Sequence, residues 1–451
     1  MKDLLQEAAR RADAYLAGLD QRTVTPTAEA MERLARLDEP LPAEPSDPAE
    51  VLALLDSLGS PATVASAGGR YFGFVTGGSL PAALAANWLA GAWDQNGALS
   101  VMSPIAAKVE EVALRWLLEV LALPPEAGAG FVTGATMANF TALAAARHAL
   151  LQRQGWDVEA QGLFGAPPLT VVVGDEVHVS LLKALSLLGL GRERVVRVPV
   201  DGQGRMRPDA LPPLSPATIV CIQAGNVNTG AFDPAAAICA AAHESEAWVH
   251  VDGAFGLWAA AAPALAHLTA GFAEADSWAT DGHKWLNVPY DSGIAFCRRP
   301  EHLRGAMAAT AAYLAQSDQR EPMHYTPEIS RRARGIEIWA ALRSLGRAGL
   351  AGMIERNCRA AARFAAGLSQ AGYQVLNQVE LNQVLVSFGP AETTRRVIAG
   401  VQADGTCWCG GTVWQGQTAM RISVSSWVTT EEDVERSLAA ILRVAQAVLP
   451  K

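Results

Sequence analysis

The feature that most constrains how this chain folds is a rhythm between residues 130 and 297. Short β-rich runs recur at 130–133, 169–173, 194–198, 218–222, 248–252, 277–280 and 293–297. Alanine-rich helical patterns separate several of them, at 136–153, 179–189 and 233–245. Strands alternating with helices predict an α/β domain with a mainly parallel central sheet. Runs such as Val171-Val172-Val173 are continuously apolar, as a sheet covered on both faces requires. The first 60 residues read as a helical arm broken by the proline-rich stretch 39–48. After about residue 330 a long helical run, 331–370, leads to shorter apolar runs at 383–386 and 420–424. A closing helix starts at Thr430, where Thr430 and Asp433 have the spacing of a capping box. The expected organisation is an N-terminal arm (1–60), a large domain (61–330) and a small C-terminal α+β domain (331–451).

Composition narrows the function classes. Half of the 451 residues are hydrophobic and 18% are charged, which suits a chain with a large core. The formal charge of -9 argues against a nucleic-acid partner, since phosphate binding needs a basic face. The amphipathic N-terminus lacks the continuous apolar core of a signal peptide. The most apolar later stretch, Gly253 to Leu268, is short and interrupted by Pro263 and His267, so no membrane span is expected. Six cysteines are scattered apart from Cys407 and Cys409, which is no disulfide framework. A reduced, cytoplasmic setting is expected. A metal at Cys407 and Cys409 would need a second ligand pair, and none follows. There is no P-loop, no G-x-G-x-x-G after a strand and no G-x-S-x-G elbow.

Four segments carry candidate chemistry, each where a strand is expected to end and ligands bind in open α/β sheets. In Phe131–Asn139 a strand runs through small residues into a helix. That turn suits a phosphate at the helix N-terminus, or simply an N-cap at Thr136. His178 follows the strand at 169–173. It fits a buried structural histidine, or a plate or proton carrier over a ring. Asp252 ends the run 248–252. A carboxylate there is a loop cap, or the partner of a buried cation such as a protonated pyridine nitrogen. Lys284 lies in an apolar, aromatic stretch, Ser277–Leu286. Desolvation there is expected to lower its pKa and favour the neutral amine that imine formation needs. The order of phosphate turn, ring-stacking His, Asp and Lys supplies the parts of a pyridoxal 5'-phosphate (PLP) site on successive strand ends.

These segments resemble those of the group II PLP-dependent amino-acid decarboxylases, which include the glutamate and aromatic-amino-acid enzymes. Ala275–Trp285 is similar to that family's lysine segment, and Gly225–Pro234 and His250–Ala254 also match. Arg70–Val75, Asp94–Asn96, Ser103-Pro104, Ser330–Arg334 and Met420–Val424 continue the likeness over roughly residues 60 to 445. The resemblance implies a type I aminotransferase-like fold, a PLP cofactor, a small amino-acid substrate and a homodimer with shared sites. It implies Lys284 as the Schiff-base lysine and Asp252 as partner of the pyridine nitrogen. Ala254 would pack beneath the ring and His178 on its other face. Ala135, Thr136 and His283 would hold the phosphate, with Asn226 and Asp281 also lining the cofactor. Arg421 would take the substrate carboxylate as a bidentate guanidinium, with Tyr71, Phe72 and Asn96 beside it. The implied reaction is decarboxylation of an L-amino acid to an amine and CO2. The alternatives on the same scaffold are aminotransfer, aldehyde synthesis or carbon–carbon cleavage.

Three departures from the family shape further expectations. Its mobile loop with a proton-donating tyrosine is short here, falling between Tyr313 and Ser330. Tyr325 and His324 are the nearest substitutes, and a partner subunit is the other source. Asp281 stands where the aromatic-acid enzymes carry Asn. Gly97-Ala98 replaces bulkier side chains, so the pocket is expected not to close tightly around one small substrate.

Overall fold

A computed structural model of the chain describes residues 1–309 and 320–448. Tyr313 of the expected loop lies outside the described residues. The larger sheet has seven strands: β1 (Gly128–Val132), β2 (Thr170–Gly174), β3 (Val196–Val198), β4 (Thr218–Gln223), β5 (Trp248–Asp252), β6 (Ser277–Asp281) and β7 (Gly293–Cys297). Their spatial order is β1-β7-β6-β5-β4-β2-β3. β6, β5, β4, β2 and β3 are parallel, and β7 runs against both β1 and β6. The reversal has a local cause. Only residues 282–292 connect β6 to β7, too few for the helical crossover that parallel pairing needs.

The mostly parallel sheet with helices is of the expected α/β class. Every residue of β4, β5, β6 and β7 is buried, which accounts for their continuous apolar character. Helix Ala135–Arg153 follows β1. Its Ala138 and Ala142 form a buried cluster with Val132, Ala279 and Ala295. Small side chains on both sides let the helix backbone approach the sheet. At its head the approach is closer still: a Cβ on Gly293 would stand 2.5 Å from Gly134 Cα. Glycine is therefore required where β7 passes the turn.

The chain divides into two units. The larger holds Ser79–Arg359 and Asn377–Gln383; the smaller holds Met1–Gly78, Ala360–Leu376 and the chain from Val384 on. The chain passes between these units at 78/79, 359/360, 376/377 and 383/384, whereas the expected organisation set its divisions at 60/61 and 330/331. Hydrogen bonding explains both differences. The N-terminal arm is tied into the smaller unit, with Val24 N–H donating to Gly405 O at 2.8 Å and Ala65 N–H to Val24 O at 3.0 Å. Residues beyond 330 remain in the larger unit, where the Trp285 indole donates to Asn357 Oδ1 at 2.9 Å.

The second sheet holds β8 (Gln374–Val375), β9 (Gln383–Ser387), β10 (Gly410–Trp414) and β11 (Gln417–Ser423), in the order β10-β11-β9-β8, and apart from Gln383 it belongs to the smaller unit. That unit's last helix, Glu431–Val448, opens on a reciprocal cap. Asp433 N–H donates to Thr430 Oγ1 at 3.1 Å, and Thr430 N–H to Asp433 Oδ2 at 3.0 Å. Among the described residues no helix is long and apolar enough to cross a membrane.

Candidate active site

The turn after β6 carries Lys284. Its Nζ lies 2.9 Å from Asp281 Oδ2, with the lysine side chain 19% exposed and the carboxylate 2%. The expectation of a depressed amine pKa is corrected here. Burial pulls the ammonium down, but the Asp281 charge, its hydrogen bond, and the more distant Asp252 and Tyr290 outweigh it. The pKa stands above the ordinary lysine value. A buried lysine is neutral only when nothing anionic reaches it, and the sequence places an aspartate three residues away.

Asp281 also organises the phosphate-type turn. Ala135 N–H, at the head of helix Ala135–Arg153, donates to Asp281 Oδ1 at 2.5 Å. His283 Nε2 sits 3.6 Å from the same oxygen. Burial lowers the His283 imidazole, with Asp281 opposing, so the ring is neutral. Ser292 N–H donates to Nδ1 at 3.1 Å, which leaves the ring proton on Nε2, facing the turn. Gly134 lies against this histidine, since a Cβ there would meet His283 Cε1 at 3.0 Å.

Asp252, 5% exposed, ends β5. Two N–H groups face its carboxylate: Asn139 Nδ2 on Oδ2 at 3.2 Å and Ala254 N on Oδ1 at 3.3 Å. The loop is stitched to β6, with Asp281 N–H donating to Ala254 O at 3.0 Å and Gly253 N–H to Ala279 O at 2.9 Å. The strand ends bearing Asp252 and Asp281 therefore share one backbone frame.

One cavity in the larger unit is lined by His178, Gln223, Gly225, Val227, Asp252, Ala254, Phe255 and Lys284. Four of these, His178, Asp252, Ala254 and Lys284, are sequence candidates. His178 caps helix Val179–Leu187, its Nδ1 2.7 Å from Ser180 Oγ. Gln223, Gly225, Val227 and Phe255 were missed. Gln223 had a signal, since it closes β4 as Asp252 closes β5; the others are set by loop geometry that residue type does not reveal. Asn226 adjoins the cavity residues in sequence. Its Oδ1 accepts from Asn228 N–H at 2.9 Å, while its buried Nδ2 has no partner among the described residues.

Other candidates lie apart. Asn96 bridges two loops: its Nδ2 donates to Ser330 Oγ at 3.2 Å and its Oδ1 accepts from Ala98 N–H at 3.1 Å. The smallness of Gly97 has a packing reason, because a Cβ there would meet Ala333 Cα and Arg332 O at 3.3 Å. Tyr325 and His324 occupy a single turn, Pro322–Tyr325, and neither lines the cavity. Arg320 lies over the Tyr325 ring at 4.4 Å. A buried ion pair helps hold this segment, with Arg331 2.5 Å from Glu110 and Arg320 3.4 Å from it.

Tyr71, Phe72 and Arg421 belong to the smaller unit. Tyr71 stacks on Trp408 with centroids 5.1 Å apart. Phe72 is 1% exposed and packs edge-on against Phe364. Arg421 sits on β11 opposite Gly410, and burial lowers its guanidinium.

A lysine, an aspartate and a histidine at the carboxyl ends of a mostly parallel sheet, beside a small-residue helix turn, define a PLP-dependent enzyme of the α/β class. The comparisons give the family. Residues 36–389 match the pyridoxal-dependent decarboxylase conserved domain, and the chain belongs to that family. Its cofactor is PLP and its members are carboxy-lyases. Aromatic-L-amino-acid decarboxylase of Bacillus atrophaeus is 24% identical over 96% of this chain and 93% of its own. Phenylacetaldehyde synthase of a Rosa hybrid cultivar is 26% identical over 77% of this chain and 75% of its own. The crystal structure of Oryza sativa TDC with PLP and tryptamine superposes with a TM-score of 0.91 at 23% identity, covering 100% of this chain and 98% of that one.

Proposed function

We propose that this chain converts an L-amino acid to the corresponding amine and CO2, with PLP carried on Lys284. The observation that carries the reading is the meeting of Lys284, Asp252 and His178 on one cavity at the strand ends. The residues present fit the cofactor. His283 Nε2–H, the helix N-terminus at Ala135 and Thr136, and the unpaired Asn226 Nδ2 are donors suited to a phosphate or ring oxygen. Asp252 offers a carboxylate to the ring nitrogen, with Ala254 and His178 as its apolar and aromatic neighbours.

When bound, PLP supplies the electron sink into which the bond to the substrate carboxylate breaks. The chain's own residues do the rest. Lys284 supplies the amine for covalent attachment and lines the cavity, where it is able to hold a proton. Asp252 keeps a negative charge at the sheet end, and Asp281 holds the helix turn and Lys284 together. Arg421 is assigned to the substrate carboxylate, with Tyr71, Phe72 and Asn96 assigned to the substrate pocket. The substrate of the family's aromatic members would suit the apolar part of this assignment.

A second reading has its own support. Tyr325, the assigned proton donor, does not line the cavity of its own chain and lies under Arg320. Without a donor in reach the product would be the aldehyde with CO2 and ammonia, a two-electron oxidation that needs dioxygen as co-substrate, or the keto acid with the amino group left on the cofactor, and an aldehyde synthase is among the similar proteins. Purified protein with PLP and a panel of L-amino acids tests both. Amine with stoichiometric CO2 is the expected outcome; aldehyde or keto acid as the main product replaces it with the second reading.

We also assign a homodimer. Helix Pro81–Trp93 leaves Trp88, Leu89 and Trp93 exposed at 44%, 54% and 45%, and Val101, Met102 and Ile105 follow at 71%, 49% and 43%. Six large apolar side chains exposed within residues 88–105 suit a partner's surface. Light scattering on the same preparation is expected to give twice the 47.5 kDa chain mass; a monomer rejects the assignment.

The Asp281 pairing makes cofactor loading pH-dependent. Covalent attachment needs the neutral amine, so loading at Lys284 is expected to rise with pH, about tenfold per unit below the amine's raised pKa. In Asp281→Asn the ammonium faces an amide instead of a carboxylate, and the profile moves to lower pH. A raised lysine pKa stabilises the fold below the unfolded value, and that contribution is lost as pH rises through the folded one. The variant therefore melts earlier near neutral pH, and the difference shrinks in strong alkali. Borohydride trapping against pH reads the first effect; superimposable profiles would show that Asp281 does not govern the amine.

A further inference from the structure

Asp252 is reached from behind by a buried chain of hydrogen bonds. Trp248 Nε1 donates to Ser277 Oγ at 2.9 Å. The same Oγ lies 2.9 Å from His250 Nδ1, and His250 Nε2 lies 2.8 Å from Asn139 Oδ1. Asn139 Nδ2 then donates to Asp252 Oδ2 at 3.2 Å. Ser277, His250 and Asn139 are each 0% exposed. β5 sets His250 between Cys221 on β4 and Ser277 on β6, which places this chain inside the sheet layer.

The direction of every link can be assigned. Burial pushes the His250 imidazole down to about 3, so the ring is neutral and donates from one nitrogen only. Cys221, its neighbour, has a thiol pushed up by burial and by Asp252, so it adds no charge. The indole N–H of Trp248 can only donate, and with Asp252 as a carboxylate acceptor the links run one way, so the Ser277 hydroxyl proton goes to His250 Nδ1. His250 Nε2–H then faces the Asn139 oxygen, and the Asn139 amide N–H faces Asp252. The opposite polarity exists on paper: it puts the proton on Nδ1, turns the Asn139 oxygen toward Asp252, and requires Asp252 to carry a proton. The two ends are therefore linked, and the tautomer of His250 reports the charge form of Asp252.

We propose that Ser277, His250 and Asn139 are positioning residues that lock Asp252 in its acceptor form, by locking the direction of this hydrogen-bond relay. The proposal rests on the reading of Asp252 as partner of the cofactor's ring nitrogen. It adds three residues, none of which lines the cavity.

The test uses full-length protein labelled with 15N-histidine, PLP-free and PLP-loaded. His250 is expected to show protonated Nε2 and bare Nδ1, unchanged between about pH 5 and 9. Titration in that range, or a proton on Nδ1, overturns the relay. A pair of variants adds a second readout. His250→Gln keeps an N–H near the Nε2 position, and His250→Phe keeps a ring without one. PLP dissociation constants are expected to rise about ten- to hundredfold in the Phe variant, the scale of a lost hydrogen bond to a charged group, and about threefold or less in the Gln variant. Equal constants for both variants, with borohydride trapping at Lys284 intact, overturn the relay and leave the functional reading standing. Failure of trapping in the unmodified protein removes the functional reading instead. If the Phe variant does not fold, the 15N spectra of the unmodified protein decide alone.

Discussion

Lys284→Ala is expected to lower turnover by at least about a thousandfold, the scale of losing a covalent anchor and a positioned proton-transfer group together. The same substitution has a second consequence. Lys284 Nζ is the cation 2.9 Å from Asp281, whose side chain is 2% exposed. Removing one member of a buried pair leaves an uncompensated charge, which costs about 3 kcal/mol or more. Asp281 keeps the Ala135 N–H and the neighbouring His283, so part of that penalty is offset. The cofactor-free variant should therefore melt several degrees lower near neutral pH. Lys284→Arg separates the two effects. It returns a cation to Asp281 and recovers part of the melting temperature, but it has no primary amine, so turnover stays lost. Turnover within tenfold of the unmodified protein in either variant would remove Lys284 as the carrier of the cofactor.

That pairing also shows where sequence reading reached and where it stopped. The larger sheet was legible because its central strands are buried on both faces, so Val171–Val173 and Ile219–Ile222 stand out as unbroken apolar runs. β8 and β10 were not legible. β8 has two residues, and β10 opens on a glycine pair and has two of its five residues exposed, so neither gives a run. At the site, residue types at strand ends pointed to Asp252, His178 and Lys284. The sign of the Lys284 shift was misread because desolvation is visible in an apolar stretch, whereas a carboxylate reaching back by three residues is visible only as geometry. His250 was quoted as part of a strand motif and given no role. Its partner Asn139 lies 111 residues earlier, and only the close approach of helix Ala135–Arg153 to β5 brings them together. Gly97 was read as leaving the pocket loosely closed; its contact with the chain at 332–333, 3.3 Å from a Cβ there, is a packing reason for the small residue that sequence does not reveal.

Asp252→Asn carries the other large expected effect. The carboxylate now takes two donors, Asn139 Nδ2 on one oxygen and Ala254 N on the other. An asparagine has one acceptor and one donor end. If its oxygen turns to Asn139, its amide nitrogen meets the Ala254 N–H; if it turns to Ala254, the amide meets Asn139 and pushes against the His250 relay. Either way a donor is left facing a donor in a site 5% exposed, and the negative charge is gone. Loss of one oriented electrostatic group costs about a hundred- to thousandfold in kcat, and that range is expected here for single-turnover CO2 release. The fold should survive, since the loop is also held by the Gly253–Ala279 and Asp281–Ala254 backbone bonds at 2.9 and 3.0 Å. The two readings of Asp252 diverge at this point. As a loop cap alone, its substitution would lower stability and leave kcat within about tenfold, because only the 3.3 Å bond to Ala254 would matter. As the charge behind the reacting ring, it would lower kcat with little change in melting temperature, and the His250 tautomer would record which way the new amide has turned.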